Sequence, residues 1–153
     1  MVEIRVATSE DVRVLTTLAR AFYDEDGFAT TDAELVRNFE VLLAADYAYL
    51  VLATHHDRPV AFALSTSAFT LESGVVVELQ DLYVAPAARA RGVGSRLIED
   101  AARWARTQGA TLLEVVIAPN GQDVTHLDDY YRRRGFVDEG RRLLSRRLDQ
   151  RLS

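Results

Sequence analysis

The chain contains no cysteine and no lysine. Without cysteine there is no disulfide framework, no thiolate nucleophile and no cysteine-based zinc site. Without lysine there is no P-loop, whose Gly-Lys-Ser/Thr end reaches the terminal phosphates of a nucleotide. No apolar run approaches the roughly 18 residues a membrane-spanning helix needs. The start, Met1-Val2-Glu3-Ile4-Arg5, lacks the apolar stretch of a secretory signal. A cytoplasmic protein that does not engage a membrane is the expectation. No repeat, low-complexity tract or Pro/Gly/Ser linker divides the sequence, so residues 1–153 are expected to form one domain.

What is present is enough for a core, since 48% of the residues are hydrophobic. The net charge of −5 is unevenly spread, and all 18 basic residues are arginine. Residues 1–81 hold 5 Arg against 14 acids, and residues 82–153 hold 13 Arg against 9 acids. Such a split suits a cationic partner on one side and an anionic one on the other, although drift across a solvated surface produces it too. The acidic balance and the lack of an RNA-binding signature argue against nucleic acid.

Periodicity gives the elements. Ile4–Val6 is a short strand. Thr8 with Asp11, and Thr31 with Glu34, have the spacing of helix-start boxes. After the first box, Val12, Leu15, Leu18, Ala19 and Phe22 recur at helical spacing, and after the second Leu35, Val36, Phe39, Leu42 and Leu43 do the same. Strands are predicted at Tyr47–Thr54, Val60–Thr66 and Val75–Val84, the last stopped by Pro86. A helix follows at Gly94–Gln108, then an apolar strand at Leu112–Ala118, a short helix at Asp123–Arg134, and a closing hairpin of Phe136-Val137 with Arg142–Leu148. The order β-α-α-β-β-β-α-β-α-β-β implies an α/β (α+β) protein with a mixed sheet and helices on both faces.

The most informative stretch is Asp81-Leu82-Tyr83-Val84-Ala85-Pro86, followed by Arg89-Ala90-Arg91-Gly92-Val93-Gly94-Ser95. A helix start offers unpaired N–H groups and partial positive charge to an anion. Gly92 and Gly94 allow close approach to the backbone, Arg89 adds charge and Ser95 a hydroxyl. A glycine pair beside an arginine is also compatible with an ordinary turn. The three-glycine spacing of a dinucleotide fingerprint is absent.

Arg89-x-x-Gly92-x-Gly94, preceded by Leu82-Tyr83-Val84-x-Pro86, resembles motif A of the GNAT N-acetyltransferase superfamily. Tyr131-x-x-x-Gly135-Phe136 resembles its later Tyr-x-x-x-Gly-Phe element, and the element order agrees across essentially the whole chain. The resemblance implies a mostly antiparallel central sheet and acetyl-CoA as co-substrate, without a metal. It implies that backbone groups of Leu82 and Val84, beside Tyr83, pair with the pantetheine amides, and that amides of Arg91–Ser95 hold the pyrophosphate. It is compatible with a homodimer.

Acetyl transfer to an amine needs a deprotonated amine, a stabilised thioester oxygen and an acid for the departing thiolate. The resemblance makes Tyr131 that acid; a core tyrosine is its structural alternative. Tyr130 should not substitute, because adjacent helical residues point about 100° apart. Strand alternation puts Glu78, Gln80 and Leu82 on one face, and Leu79, Asp81 and Tyr83 on the other. Gln80 stands where some polyamine-acetylating relatives have a glutamate, so Glu78 is the candidate base, through water, with Asp81 and Glu72 behind it. Val124 occupies a position where the family often has a cofactor-contacting asparagine; Asn120 either serves instead or only makes an Asn-Gly turn.

Tyr23, Asp24, Glu25 and Asp26 lie between the first two helices, where the resemblance places the acceptor, and with Asp81 they are the expected contacts for a small cationic amine. His55 and His56 read as a solvated turn, His126 as a surface residue, and Arg132-Arg133-Arg134 as a solvated face or a partner for the cofactor's ribose phosphate. An acyl-CoA-binding module without turnover stands beside the enzyme reading, because Gln80 and Val124 depart from the pattern.

Overall fold

The structure, a computed structural model, describes residues 1–118 and 123–149. Strand β1 (Val2–Val6) leads through a 3-10 turn at Ser9–Asp11 into α1 (Val12–Asp26), and α2 (Asp32–Leu43) follows. Strands β2 (Ala48–His55), β3 (Arg58–Thr70) and β4 (Gly74–Val84) come next, then a 3-10 turn at Pro86–Ala88 and α3 (Val93–Thr107). The chain continues with β5 (Leu112–Glu114) and α4 (Thr125–Arg132). The five strands lie in sequence order, β1-β2-β3-β4 antiparallel and β4-β5 parallel.

Two apolar layers sandwich this sheet. On one side Leu15, Leu18 and Ala19 of α1 and Leu35 and Phe39 of α2 pack on Leu50, Leu52, Phe62, Leu64 and Tyr83. On the other, Val93, Leu97, Ile98 and Ala101 of α3 pack on Val51, Ala53, Ala61, Ala63 and Leu79. Because both faces are covered, β2 is buried at every residue from Leu50 to Ala53, as a central strand must be. Tyr49 pins α3 to the sheet: its ring stacks on Trp104 at 5.0 Å, and its hydroxyl donates to the buried Asp100 carboxylate at 2.8 Å.

The helix starts follow from capping. The Thr31 hydroxyl accepts the Glu34 N–H at 3.2 Å, and the Glu34 carboxylate accepts the Thr31 N–H at 3.0 Å. At the other start, Asp11 accepts the Thr8 N–H at 2.8 Å and also receives a bidentate pair from Arg5, both at 2.8 Å. Gly27 closes α1 in the left-handed conformation, φ 78°, which glycine adopts without strain.

Two expectations fail, at the end of the chain. The strand predicted to reach Ala118 stops at Glu114, and no strand follows α4 among the described residues. Phe136 packs edge-on against Tyr131 at 5.4 Å instead of pairing. In Arg142–Leu148 the adjacent Leu143 and Leu144 would point to opposite faces of a strand, so the segment has no one-sided apolar face to bury. Leu143, Leu144 and Leu148 are exposed. No described helix is long and apolar enough to cross a membrane.

Arg5 holds the Asp11 carboxyl down to a pKa of about 2, with the Thr8 N–H assisting against burial. A depressed carboxylate adds stability above its unfolded pKa and loses it as pH falls through the folded one. Asp11→Asn should cost about 1–2 kcal/mol at pH 7, since Arg5 is half exposed and its charge is screened. The deficit should shrink between about pH 4 and pH 2. Urea unfolding of the two proteins across that range measures it.

Candidate active site

Strand β4 carries one residue more than β3. Asp81 stands opposite Leu64 and Leu79 opposite Ser65, which leaves Gln80 with no partner in the register. Such a bulge reverses side-chain alternation. Leu79 therefore packs with Leu82 and Val84 in the α3 layer, while Asp81 and Tyr83 face α1. The simple alternation that grouped Leu79 with Asp81 and Tyr83 is corrected by this extra residue.

The bulge sits where β4 and β5 part. Their parallel pairing covers only Val76–Glu78 against Leu112–Glu114. Beyond it, Leu79–Val84 form one wall and Val115–Ala118 the other of a cavity of about 700 Å³. The start of α3 enters the same cavity: Gly92, Val93, Gly94 and Ser95 line it, with Arg89, Arg133 and Arg134 supplying positive charge. Among the described residues no side chain caps α3, so its first N–H groups keep their capacity to bind an anion. Gly92 has φ 77°, and Ala90 shares the left-handed region at 63°.

A Cβ at Gly94 would stand 2.1 Å from the Tyr130 hydroxyl and 3.9 Å from Val84. Here only glycine fits. Tyr130 was expected to point away; it lines this cavity beside the start of α3, because α4 is a short helix whose last turn faces the cavity. Its ring lies 3.5 Å from the Arg134 guanidinium carbon, and that guanidinium donates to the Ser95 hydroxyl at 2.8 Å. Arg134 thus joins the end of α4 to the start of α3, while Arg132 turns outward to Asp128 at 2.7 Å. The Tyr-x-x-x-Gly-Phe spacing gave no signal for Tyr130 or for Arg134's position.

Tyr131 lies in the cavity wall and is half-buried. Burial, then the neighbouring Tyr130 and the charges of Asp81 and Asp26, push its phenol up to about 12. It stays protonated throughout the physiological range. Its hydroxyl has no hydrogen-bond partner among the described residues.

The remaining expected residues divide. Leu82, Tyr83, Val84, Arg89, Ala90, Gly92, Val93, Gly94 and Ser95 line the cavity; Arg91 does not. Asn120 lies outside the described residues. The Val84 carbonyl accepts the Arg89 Nε–H at 2.8 Å, and the Arg89 guanidinium holds both oxygens of Glu25 at 2.9 Å. Glu25 and Asp26 border the cavity, whereas Asp24 is held by Arg20 at 3.0 Å outside it. His126, expected on the surface, is exposed at the cavity's edge.

Glu78 is not in the wall. It sits before the bulge, opposite Thr66 and beside Glu114, where burial and that negative neighbour raise its pKa. Glu72 pairs with Arg141 at 3.1 Å. Of the expected β4 carboxylates, the one the fold brings to the cavity is Asp81, which accepts the Tyr23 hydroxyl at 2.7 Å. Burial raises its pKa, opposed by that hydrogen bond.

A forked sheet, a helix start with an approachable backbone and a half-buried phenol define a site suited to an elongated anionic co-substrate. The family model described as the acetyltransferase (GNAT) family matches residues 12–136. The chain belongs to the GNAT family of acetyl-CoA-dependent N-acetyltransferases. No curated protein matches it by sequence. Among solved structures it is similar to an integron cassette protein from the mobile metagenome of Cole Harbour Salt Marsh, at 29% identity over 97% of this chain and 91% of that one, TM-score 0.84. It shares the fold of aminoglycoside N-acetyltransferase AAC(6')-Iy in complex with CoA, at 21% identity over 97% and 95%, TM-score 0.85. The apo aminoglycoside 6'-N-acetyltransferase AAC(6')-IG from Acinetobacter haemolyticus has 24% identity over 96% and 99%, TM-score 0.80.

Gly94→Ala should destabilise the fold by about 1–3 kcal/mol, the usual cost of overpacking. Adding Tyr130→Phe should recover most of that loss, because the ring carbon that remains would stand 3.3 Å from the new methyl group. Chemical denaturation of wild type, single and double variants reads both effects.

Proposed function

We propose that the enzyme transfers the acetyl group of acetyl-CoA to a small, cationic primary amine by direct attack, with Tyr131 as the general acid. The observation that carries this reading is the half-buried phenol of Tyr131, which lines the forked cavity together with Gln80 and Asp81 of the β4 bulge. The residues fit the co-substrate: the α3 start can accept a diphosphate, the fork between β4 and β5 can admit an extended chain, and the side chain missing at Gly94 keeps that passage narrow but open.

An ammonium must lose one proton before its nitrogen can attack. The C–N bond then forms as the C–S bond breaks, and Tyr131 delivers its proton to the departing sulfur. The phenolate regains a proton from the nitrogen, so the overall change releases one proton to solvent. Asp81, on the wall nearest α1, is the acidic group placed to attract the ammonium. The acids of residues 24–26 contribute less than their number suggests, because Arg20 and Arg89 are paired with Asp24 and Glu25.

Tyr131→Phe keeps the ring and its packing on Phe136 but removes the proton. Turnover should fall about 10²–10⁴-fold, with acetyl-CoA affinity unchanged within about twofold (under ~0.4 kcal/mol). Thiol release with a panel of amines, together with calorimetry for acetyl-CoA, tests this. Equal turnover would reduce Tyr131 to a packing residue. Because its phenol titrates near 12, wild-type kcat should show no alkaline decline from this group below about pH 11.

A further inference from the structure

A second cavity of about 350 Å³ lies on the α1/α2 face of the sheet, and Gln80 and Asp81 line both it and the larger one. Most of its wall is apolar: Leu35, Phe39 and Leu42 of α2 face Phe62 and Leu64 of β3. Thr30 and Asn38 add polar groups at its outer side, and on the sheet side Asp81 accepts the Tyr23 hydroxyl. Asp81 is the one charged residue in the described lining. The bulge produces this arrangement, since it turns Asp81 toward α1 while Gln80 remains at the common wall.

Charge and shape together select a ligand. A single carboxylate on the wall shared with the larger cavity matches one ammonium. A second cationic group on the same molecule would stand beside Leu35, Phe39 and Leu42, where the described lining offers the dipoles of Asn38 and Thr30 but no second negative charge. An apolar body gains there instead: each methylene removed from water tightens binding about fourfold. The volume is at the lower end of the range for small-molecule sites and suits one ring or a short branched chain.

Resting on the acetyl-transfer reading above, we propose that this second cavity is the acceptor subsite, that it takes a monoamine carried on an aryl or short alkyl body, and that Asp81 receives the ammonium beside the shared wall. Tyr23 holds Asp81 in place, and the α2 face decides which bodies fit. Polyamines and multiply charged amino sugars are the wrong class for this chain.

The test uses the full chain with 2-phenylethylamine, hexylamine and 1,4-diaminobutane as acceptors. With acetyl-CoA saturating, kcat/KM for 2-phenylethylamine should exceed that for 1,4-diaminobutane at least tenfold. Asn38 lines the cavity from an exposed position on α2, so Asn38→Trp should fill it without disturbing the core. That variant should raise KM for 2-phenylethylamine more than tenfold and leave acetyl-CoA affinity within about twofold. Asp81→Asn should abolish calorimetric binding of 2-phenylethylamine to CoA-saturated protein. A diamine used as well as the arylalkylamine, or an Asn38→Trp enzyme with unaltered KM, overturns the proposal. Thiol release with diamines alone would sink the acceptor class and leave acetyl transfer standing. Binding of 2-phenylethylamine, sensitive to Asp81, without thiol release from any amine would do the reverse.

Discussion

A strand with one residue more than its neighbour must bend, and β4 does so at Gln80. The bend has two results that no side chain could supply separately. It ends the pairing with β5 after Glu78, so the sheet forks. It also exchanges the faces of the residues that follow, so Asp81 comes to α1 and meets Tyr23 instead of packing beneath α3. The larger cavity and the smaller one share Gln80 and Asp81 because both open at the same irregularity.

The surrounding structure holds that fork in place. Tyr49, Trp104 and Asp100 fix the body of α3 against β2, so its N-terminus is presented at a set depth. Arg134 ties the end of α4 to Ser95, which keeps Tyr130 over Gly94 and Tyr131 in the wall. Tyr131 is half-buried: its ring meets Tyr130 and Phe136 edge-on and packs against the core on the α3 face of the sheet. The phenol's high pKa is therefore a product of local packing as well as of the acids across the cavity.

Much of this was legible in the residues themselves. Thr31 with Glu34, Gly27, and the apolar stripes of α1 and α2 specify their helices through local chemistry, and the structure follows them. The same kind of local chemistry singled out Arg89, Gly92 and Gly94 around the start of α3, and all three line the larger cavity. The bulge was not legible, because Glu78-Leu79-Gln80-Asp81-Leu82 alternates well enough to read as plain strand; the extra residue shows only against Leu64 and Ser65 of β3. Plain alternation put Glu78 on the face of Gln80 and made it the candidate base, with Asp81 behind it in that role although named as an acceptor contact. Tyr130 was missed because helical geometry separates neighbours by angle but does not say how wide a cavity they face. The closing hairpin was over-read from leucine content, since Leu143 and Leu144 do not share a face.

The absence of lysine has a chemical meaning once the co-substrate is a thioester. Acetyl-CoA modifies exposed ε-amino groups slowly without any catalyst, and an enzyme that concentrates it is the first protein exposed. Every strongly basic side chain here is a guanidinium, which stays protonated far above neutral pH and is not a nucleophile toward thioesters. The arginines that line the cavity, Arg89, Arg133 and Arg134, can therefore sit beside an activated acyl group without consuming it. The basic half of this chain is built from side chains that attract the reagent's charge and are inert to its chemistry.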